Sequence, residues 1–323
     1  MNAPDARALI ARLSGRPVLV IGDVMLDHFL FGDVERISPE APVPIVRFER
    51  EEYRLGGAAN VAHNIHALGA RPTLVGIVGK DDAAHRLTSE LALLQIGPEG
   101  LVPAPDRATT RKVRVVTRRN QQVARIDYET DAPLADSVES ALLERIQREV
   151  PRAAVVVISD YLKGAITRRV AAHAIEAAAH MDIPVLIDPK VPHVDFYAGA
   201  TLVTPNHHEA EAVTLMRLRT NEDTRVAARK FRDRARSSAV LITRGEQGMW
   251  LLEGDRDHEL PATAREVSDV TGAGDTVIAT IATALAAEAA LLDAAWLANC
   301  AAGLVVAKFG AASITAEELL AAI

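Results

Sequence analysis

The most informative segment of this chain reads Asp269-Val270-Thr271-Gly272-Ala273-Gly274-Asp275-Thr276, and small and β-branched apolar residues follow it at 277–287. The apolar run contains no helix breaker and predicts a buried helix that begins near Gly272. The first turn of a helix carries unpaired N–H groups and a partial positive charge, so the backbone of Gly272, Ala273 and Gly274 is a candidate anion site. A phosphoryl group bound there would lie beside Asp275, which can accept the proton of an attacking hydroxyl. The segment therefore indicates phosphoryl transfer, with Asp275 as the general base.

A simpler explanation competes with this interpretation of the segment. An aspartate in the first turn of a helix is a common partner of the helix dipole, and a Gly-Ala-Gly turn alone is weak evidence for catalysis. Two other phosphate-binding motifs are excluded. The segment is not a Walker A loop, because no Lys-Ser or Lys-Thr follows the glycines, and it is not a dinucleotide fingerprint, because Val277 replaces the third glycine.

Composition restricts the class of protein. The chain has 323 residues, of which 49% are hydrophobic, and a net charge of −7, which argues against nucleic acid or an anionic membrane as a partner. The single cysteine, Cys300, rules out an internal disulfide framework and a cysteine metal cluster. The N-terminus shows no apolar signal region. Glu288, Asp293 and Asn299 interrupt the apolar stretch at 277–307, which predicts two buried helices and no membrane span. We expect a soluble, cytoplasmic protein.

Short apolar runs alternate with helical segments over most of the chain and predict an α/β fold with a mainly parallel central sheet. The first run, at residues 17–23, ends in Asp23. Later runs end in a polar residue or a glycine-rich turn, at Asp160, Asp188, Asn206 and Thr243. Ligands of such sheets bind at the carboxyl ends of the strands. These polar residues are therefore expected along one rim of the sheet.

Two segments, at about 27–48 and 109–127, interrupt this rhythm and predict a small antiparallel sheet that forms a lid on a single domain spanning 1–323. Three prolines between residues 39 and 44 disfavour a central strand. The next helix is predicted to open on the glycines at 56 and 57. In residues 112–118 cations alternate with apolar residues, so Lys112 and Arg114 should share one face of a half-exposed strand. For most of these cations an ordinary solvated strand face is the simpler explanation.

Two distant motifs resemble the signatures of the ribokinase-like (PfkB) carbohydrate kinases. One is the segment 269–279, and the other is Gly56-Gly57-Ala58-Ala59-Asn60-Val61-Ala62, which leads to Leu68-Gly69-Ala70. The likeness covers almost the whole chain and implies a ribokinase-like α/β/α sandwich with a small antiparallel β lid. It also implies that Asp275 is the base and that the amides before it form the anion hole. Carboxylates and amides suit sugar hydroxyls, so Asp23, Gly56, Gly57 and Asn60 are the expected sugar contacts.

The resemblance also implies a site for ATP. An Asn-x-x-Glu pair, Asn206 and Glu209, would hold Mg²⁺ at the ATP phosphates, with Glu209 acting through water. A helix cap followed by a first-turn acid explains the same two residues. The family's other nucleotide-binding positions match Thr243, Gly245, Gly248, Asn299 and Lys308. His207-His208-Glu209 is not a zinc motif, and a monovalent cation near Asp269 and Thr271 is left open.

Within the family the chain is most similar to kinases of D-glycero-D-manno-heptose 7-phosphate. The shared motifs are Ile37-Ser38-Pro39-Glu40-Ala41-Pro42-Val43-Pro44, Asn120-Gln121-Gln122, Ser159-Asp160-Tyr161, Asp188-Pro189-Lys190 and Thr204-Pro205-Asn206. The resemblance implies phosphorylation of C1 of the heptose 7-phosphate, for the lipopolysaccharide inner core. Asp160 would contact the sugar, while Lys112 and Arg114 would bind its 7-phosphate. A kinase for another sugar or sugar phosphate and an inactive nucleotide-binding regulator are the alternatives.

The resemblance extends to partners. Relatives of this type pair two lids into a dimer, so we expect a homodimer joined through residues 27–48 and 109–127. In many bacteria such a kinase is fused to a nucleotidyltransferase domain. The chain ends at Ile323, too early for that domain, so we expect a separate nucleotidyltransferase to perform the next step.

Overall fold

The computed structural model describes residues 3–119, 121–130, 132–263, 267–308, 310 and 312–323. Asn120, part of one motif quoted above, lies outside these residues. In chain order the strands are β1 (Pro17–Gly22), β2 (Val24–Ile37), β3 (Pro44–Gly57), β4 (Arg71–Val78), β5 (Leu101–Pro103), β6 (Arg111–Thr117), β7 (Gln122–Tyr128), β8 (Val155–Ser159), β9 (Val185–Asp188), β10 (Leu202–Val203), β11 (Ala239–Thr243), β12 (Met249–Glu253) and β13 (Arg256–Leu260).

The helices lie between these strands and after them. They are α1 (Ala3–Ala11), α2 (Ala58–Ala67), α3 (Asp82–Leu93), α4 (Asp136–Glu149), α5 (Arg168–Ala179), α6 (His207–Thr214), α7 (Asn221–Ala235), α8 (Ala273–Ala286), α9 (Leu291–Val305) and α10 (Ala316–Ala322). The apolar stretch at 277–307 forms α8 and α9, as predicted. No helix in the described ranges is long and apolar enough to cross a membrane.

Nine of the described strands form the central sheet, in the order β13-β12-β11-β10-β9-β8-β1-β4-β5. All neighbours from β11 to β5 pair in parallel, whereas β11 with β12 and β12 with β13 pair antiparallel. The predicted α/β class with a mainly parallel sheet is confirmed. The parallel arrangement brings the carboxyl ends of β1, β8, β9, β10 and β11 to one edge.

Helices cover both faces of this sheet, and the strands are apolar on both sides for that reason. Val18 and Val20 pack into a core with α2, α8 and α9, whereas the alternate residues Leu19 and Ile21 pack into a second core with α4, α5 and α7. The continuous apolar run of β1 therefore supplies both cores through its two-residue period.

A second sheet forms the lid, in the order β3-β2-β6-β7. Its outer pairs are antiparallel, as predicted, but the central pair β2 and β6 is parallel. The strands β2 and β3 have 14 residues each, and together they extend beyond the predicted segment at about 27–48 at both of its ends. One prediction is wrong in detail: Gly56 and Gly57 end β3, and α2 begins at Ala58. The reason is that the ladder pairs Gly56 with Met25 and Gly57 with Val24.

Candidate active site

Asp275 lies in the first turn of α8 and is only 5% exposed. Its carboxylate accepts hydrogen bonds from Asn60 Nδ2 at 2.6 Å and from the Tyr161 hydroxyl at 2.6 Å. Burial raises the pKa of Asp275 to about 6, although both hydrogen bonds act to lower it. A carboxylate with this pKa is ionised at neutral pH and remains basic enough to take a proton. The two sequence motifs, 215 residues apart, thus meet at the predicted base.

The backbone before Asp275 turns sharply into the helix. Gly272 is the N-cap residue with φ of 79°, a left-handed conformation that favours glycine, and no side chain caps the helix. The Ala273 N–H donates to Val270 O at 3.2 Å, so this amide is already used within the turn. A Cβ atom placed on Gly274 would meet nothing within 4 Å. The helix start is therefore open at Gly274, where an anion can approach the backbone.

Asp23, at the end of β1, is buried, and both of its carboxylate oxygens accept backbone hydrogen bonds. The donors are the N–H groups of Tyr161 at 2.7 Å, Lys163 at 3.0 Å and Ala165 at 2.8 Å. Burial raises the pKa of Asp23, and the three amides oppose that shift. In this structure Asp23 holds the loop after β8 in place. Gly57 packs against it: with φ of 55°, its Cβ would lie 2.4 Å from Asp23 O.

Asp160 is fully buried below the same loop. It accepts hydrogen bonds from Leu162 N at 2.9 Å, from His193 Nδ1 at 2.7 Å and from the Tyr197 hydroxyl at 2.7 Å. Both of its oxygens are therefore occupied inside the protein. The sugar contacts predicted for Asp23 and Asp160 stay predictions, since each carboxylate is bound by its own chain.

Asn206 and Glu209 form a capping box at the start of α6. The Asn206 side chain accepts from Glu209 N at 2.9 Å, and the Glu209 carboxylate accepts from Asn206 N at 2.9 Å. The other Glu209 oxygen bonds the Lys190 ammonium. The helix-cap explanation weighed for this pair describes the observed contacts. The capping box uses only Glu209 Oε2, whereas Glu209 Oε1 bonds a cation, the Lys190 ammonium.

Asp188, at the end of β9, completes the acidic part of the site. It is half-buried, and no described residue donates a hydrogen bond to its carboxylate. Burial raises the pKa of Asp188 to about 8, which Lys190 opposes, and Asp275 and Glu209 raise it further. The carboxylates of Asp188 and Glu209 supply the kind of oxygen donor that Mg²⁺ prefers. In the described part of the chain no three acidic, histidine or cysteine side chains form a metal cluster. The donor set thus suits a Mg²⁺ ion bound mainly through nucleotide phosphates and water.

The predicted nucleotide loop follows β11. Thr243 pairs with Asn206 in an isolated bridge, and a short 3-10 helix at Gly245–Gln247 ends at Gly248. Glu246 and Gln247 line a cleft of about 430 Å³, together with Pro261 and Ala262 after β13. The structure therefore places the loop beside an open space of suitable size for part of a nucleotide.

The two weaker nucleotide positions differ in their surroundings. Asn299 is buried on α9 and donates to Pro261 O at 2.7 Å, next to the segment that lines this cleft. The Lys308 ammonium bonds Glu318 Oε1 at 2.6 Å and Ser313 O at 2.9 Å. Lys308 thus ties α10 to the end of α9, and its charge is already compensated.

Asp269 and Thr271 lie just before the anion site. The Asp269 carboxylate accepts from Thr271 N at 2.9 Å and from Gly310 N at 2.9 Å. Partial burial would raise the pKa of Asp269, but these hydrogen bonds outweigh burial and lower it. Asp269 therefore stays ionised and fastens the segment to the chain after α9. A monovalent cation near Asp269 and Thr271 stays a prediction.

The lid residues Lys112 and Arg114 share one face of β6, as predicted. In the parallel ladder they pair with Asp27 and Phe29 of β2. Arg114 forms an ion pair with the buried Asp27. Lys112 makes no ion pair or hydrogen bond with any residue that the structure describes. Asp27 also raises the pKa of Asp275, so the Asp27 carboxylate lies near the base.

Three residues of the site escaped assignment from sequence: Tyr161, Asp188 and Lys190. Each lies in a motif quoted above, Ser159-Asp160-Tyr161 or Asp188-Pro189-Lys190. Their position after strand ends placed them on the rim. The direction of their side chains depends on loop geometry, which residue types alone do not specify.

Solved structures share this architecture and define its class. The phosphofructokinase-2 of Escherichia coli in complex with potassium superimposes with a TM-score of 0.77 at 20% identity, covering 94% of this chain and 97% of that one. The Arabidopsis thaliana ribokinase complexed with ribose and ATP gives 0.73 at 20% identity, covering 95% and 98%. The fold is ribokinase-like.

The family model described as "pfkB family carbohydrate kinase" matches residues 16–318, and the chain belongs to that family. The predicted carbohydrate kinase is confirmed at this level.

The curated relatives are longer proteins than this chain. The chain is 44% identical over 321 residues to the "Bifunctional protein HldE" of Paramagnetospirillum magneticum and 48% identical over 319 residues to that of Caulobacter sp. strain K31. It is covered to 97% and 98%, but it spans only 64% of each relative. The expectation of a separate nucleotidyltransferase thereby loses its support, because the relatives are named as bifunctional proteins.

Proposed function

We propose that this chain transfers the γ-phosphoryl group of ATP to the C1 hydroxyl of D-glycero-D-manno-heptose 7-phosphate. The product would be the 1,7-bisphosphate, a precursor for the lipopolysaccharide inner core. The observation that carries the proposal is the buried Asp275, held by Asn60 and Tyr161 at the open start of α8. The choice of sugar is supported by the likeness to the HldE proteins over 97% and 98% of this chain and by the motifs shared with heptose 7-phosphate kinases.

The residues divide the chemistry as follows. Asp275 takes the proton of the C1 hydroxyl, and the backbone at Gly274 stabilises charge on the transferred group. Asn60 orients the carboxylate through its 2.6 Å hydrogen bond. Glu209 and Asp188 would hold Mg²⁺, which offsets charge on the ATP phosphates. The loop from Thr243 to Gly248 and the segment around Asn299 would contact the nucleotide.

Two features of the assembly belong to the same proposal. Residues of the lid would join two chains into a homodimer, and the reaction would take place in the cytoplasm, where ATP is supplied. The HldE relatives are named as bifunctional proteins, and this chain spans 64% of each. We therefore assign the kinase step alone to the residues considered in this chain.

The proposal is tested by ³¹P NMR of the protein with ATP, Mg²⁺ and the heptose 7-phosphate. We expect a second sugar phosphate signal and ADP. Asp275→Asn should lower turnover roughly 10²- to 10⁴-fold, because it keeps size and shape but cannot accept a proton. Its affinity for ATP should be retained.

The alternatives give different results in the same assay. Transfer to another sugar or sugar phosphate, with none to the heptose, would identify a different carbohydrate kinase. Binding of ATP without transfer to any acceptor would identify an inactive regulator. Near-normal turnover of Asp275→Asn would show that the base is elsewhere.

A further inference from the structure

Lys190 lies between the two functional parts of the site. Its ammonium bonds Glu209 Oε1 and also donates to Pro189 O at 3.2 Å. The same nitrogen lies 5.5 Å from the centre of the Tyr161 ring, and the Tyr161 hydroxyl bonds Asp275. The cation thus stands between the carboxylate assigned to the metal and the carboxylate assigned to the base.

The backbone of Lys190 is held firmly, whereas its ammonium can change partners. The Lys190 N–H donates to the Tyr197 hydroxyl at 2.9 Å, and that hydroxyl donates to Asp160 Oδ2 at 2.7 Å. Tyr197 and Asp160 are fully buried. The Lys190 side chain keeps 26% of its surface exposed. A long side chain on a fixed base can therefore move its charge by a few ångströms without disturbing the fold.

The charge of the site requires such a cation. The Glu209 carboxylate bonds Lys190 directly, and the Asp275 carboxylate accepts from the Tyr161 hydroxyl on the other side of the ammonium. A phosphoryl group in transfer carries negative charge on its equatorial oxygens. Of the other cations predicted for the site, Lys112 and Arg114 belong to the lid, and Lys308 is paired with Glu318.

We infer that Lys190 is a catalytic residue whose ammonium contacts the transferring phosphoryl group. In the structure this ammonium bonds Glu209 Oε1. Glu209 would hold Mg²⁺ when the nucleotide binds, and the ammonium would then be free to contact the phosphoryl group. In the reaction the bond between the γ-phosphorus and the bridging oxygen breaks, and its electron pair stays on ADP. The bond between the C1 oxygen and phosphorus forms, and the hydroxyl proton moves to Asp275. Lys190 remains protonated and donates to an equatorial oxygen. The inference rests on the proposed function.

The test compares Lys190→Met with Lys190→Arg, which keeps the charge, and with Lys230→Met, which removes an exposed lysine on α7. Removing one donor to a charged transition state typically lowers turnover by about 10²–10³-fold. We expect that loss of kcat for Lys190→Met, a smaller loss for Lys190→Arg, and none for Lys230→Met. Lys190→Gln replaces Lys190→Met if the latter does not give the melting curve of the folded protein.

Binding measurements separate catalysis from a structural role. By calorimetry, affinity for Mg-ADP should change less than about threefold, because the contact forms only in the transition state. Binding of Mg-ADP with aluminium fluoride and the acceptor, a mimic of the transition state, should weaken by about the same factor as kcat. Equal losses for Mg-ADP and for the mimic would overturn the inference, since Lys190 would then only position Glu209. An unchanged kcat would overturn it as well.

The result that would contradict the proposed function differs from the results that would contradict the role of Lys190. If the wild-type protein does not phosphorylate the heptose 7-phosphate but does phosphorylate another sugar, the substrate assignment is wrong. The Lys190 comparison is then made with that sugar and retains its meaning.

Discussion

Asp275 is surrounded by groups that act on its pKa in opposite directions. Burial raises the pKa to about 6, and the hydroxyl of Tyr161 and the amide of Asn60 lower it. The working form is the ionised carboxylate, so activity should be full above this pKa. It should fall about tenfold per pH unit below it. We expect kcat/KM to show an acidic limb near pH 6.

Tyr161→Phe tests the origin of that limb. The variant removes the hydrogen bond that stabilises the ionised carboxylate, so the pKa of Asp275 should rise and the limb should move to higher pH. Tyr128→Phe is the matched control, because Tyr128 lies at the end of β7 and is 44% exposed. The assignment of the limb to Asp275 would be wrong if Tyr161→Phe left it in place, or if both variants moved it equally.

Single residues also show where sequence reasoning ends. Asp275 was singled out through the likeness of its segment to the family signature, because an aspartate in the first turn of a helix is by itself a common partner of the helix dipole. Asp23 and Asp160 were correctly placed on the rim, but their carboxylates bind the chain's own amides, hydroxyl and imidazole. The sequence does not show whether the carboxylate of an aspartate is free to bind a ligand or is already hydrogen-bonded within the protein. Only the path of the loop after β8 distinguishes them.

At the scale of elements, the face of β6 that carries Lys112 and Arg114 holds one cation with an ion-pair partner and one without. Arg114 is neutralised by Asp27, whereas Lys112 has no partner among the described residues. A hydrogen bond to a charged group contributes about 1.5–3 kcal/mol. We therefore expect Lys112→Ala to lower kcat/KM for the heptose 7-phosphate roughly 10- to 200-fold, mainly through KM.

The unphosphorylated heptose provides the control for this effect. It should be used equally well by wild type and Lys112→Ala, because it lacks the charged group. Arg125→Ala, which removes a lid cation paired with Asp127, should change neither substrate. Equal weakening of both substrates by Lys112→Ala would mean that Lys112 supports the lid and that the 7-phosphate binds elsewhere.

Strand pairing was the least predictable property of the elements. Alternating residues correctly identified β6, because one of its faces is buried. The length of β2 and β3 was underestimated, since the outer part of β3 is exposed and charged on both faces and shows no alternation. The parallel pairing of β2 with β6 joins segments 85 residues apart in sequence, as Leu26 with Arg111 shows. Nothing in either strand alone specifies that partner.

At the scale of the whole molecule, the lid leaves apolar surface in contact with solvent. Ile37, Val43, Phe48 and Ile126 are each at least 50% exposed, and β3 and β7 are edge strands of a four-stranded sheet. Exposed edges and apolar residues of this kind favour association. We expect a homodimer at micromolar concentration.

Light scattering measures that mass directly. Phe48→Glu should shift the protein toward the monomer, because it places a charge in the proposed interface. Leu215→Glu alters a residue that is 91% exposed at the end of α6, away from the lid, and should leave the mass unchanged. A wild-type monomer under these conditions would exclude the proposed assembly.

The hydrogen bonds that join α2 to α8 also have a consequence for synthesis of the chain. Asn60 bonds Asp275 and Asn64 bonds Thr276, and all four side chains are buried. At a translation rate of about 5–20 residues per second, the ribosome needs roughly 10–40 s to go from Asn60 to Asp275. During that time the amides of α2 and one side of the central sheet lack the helix that covers them. The nascent chain is therefore a candidate client for chaperones until α8 leaves the exit tunnel.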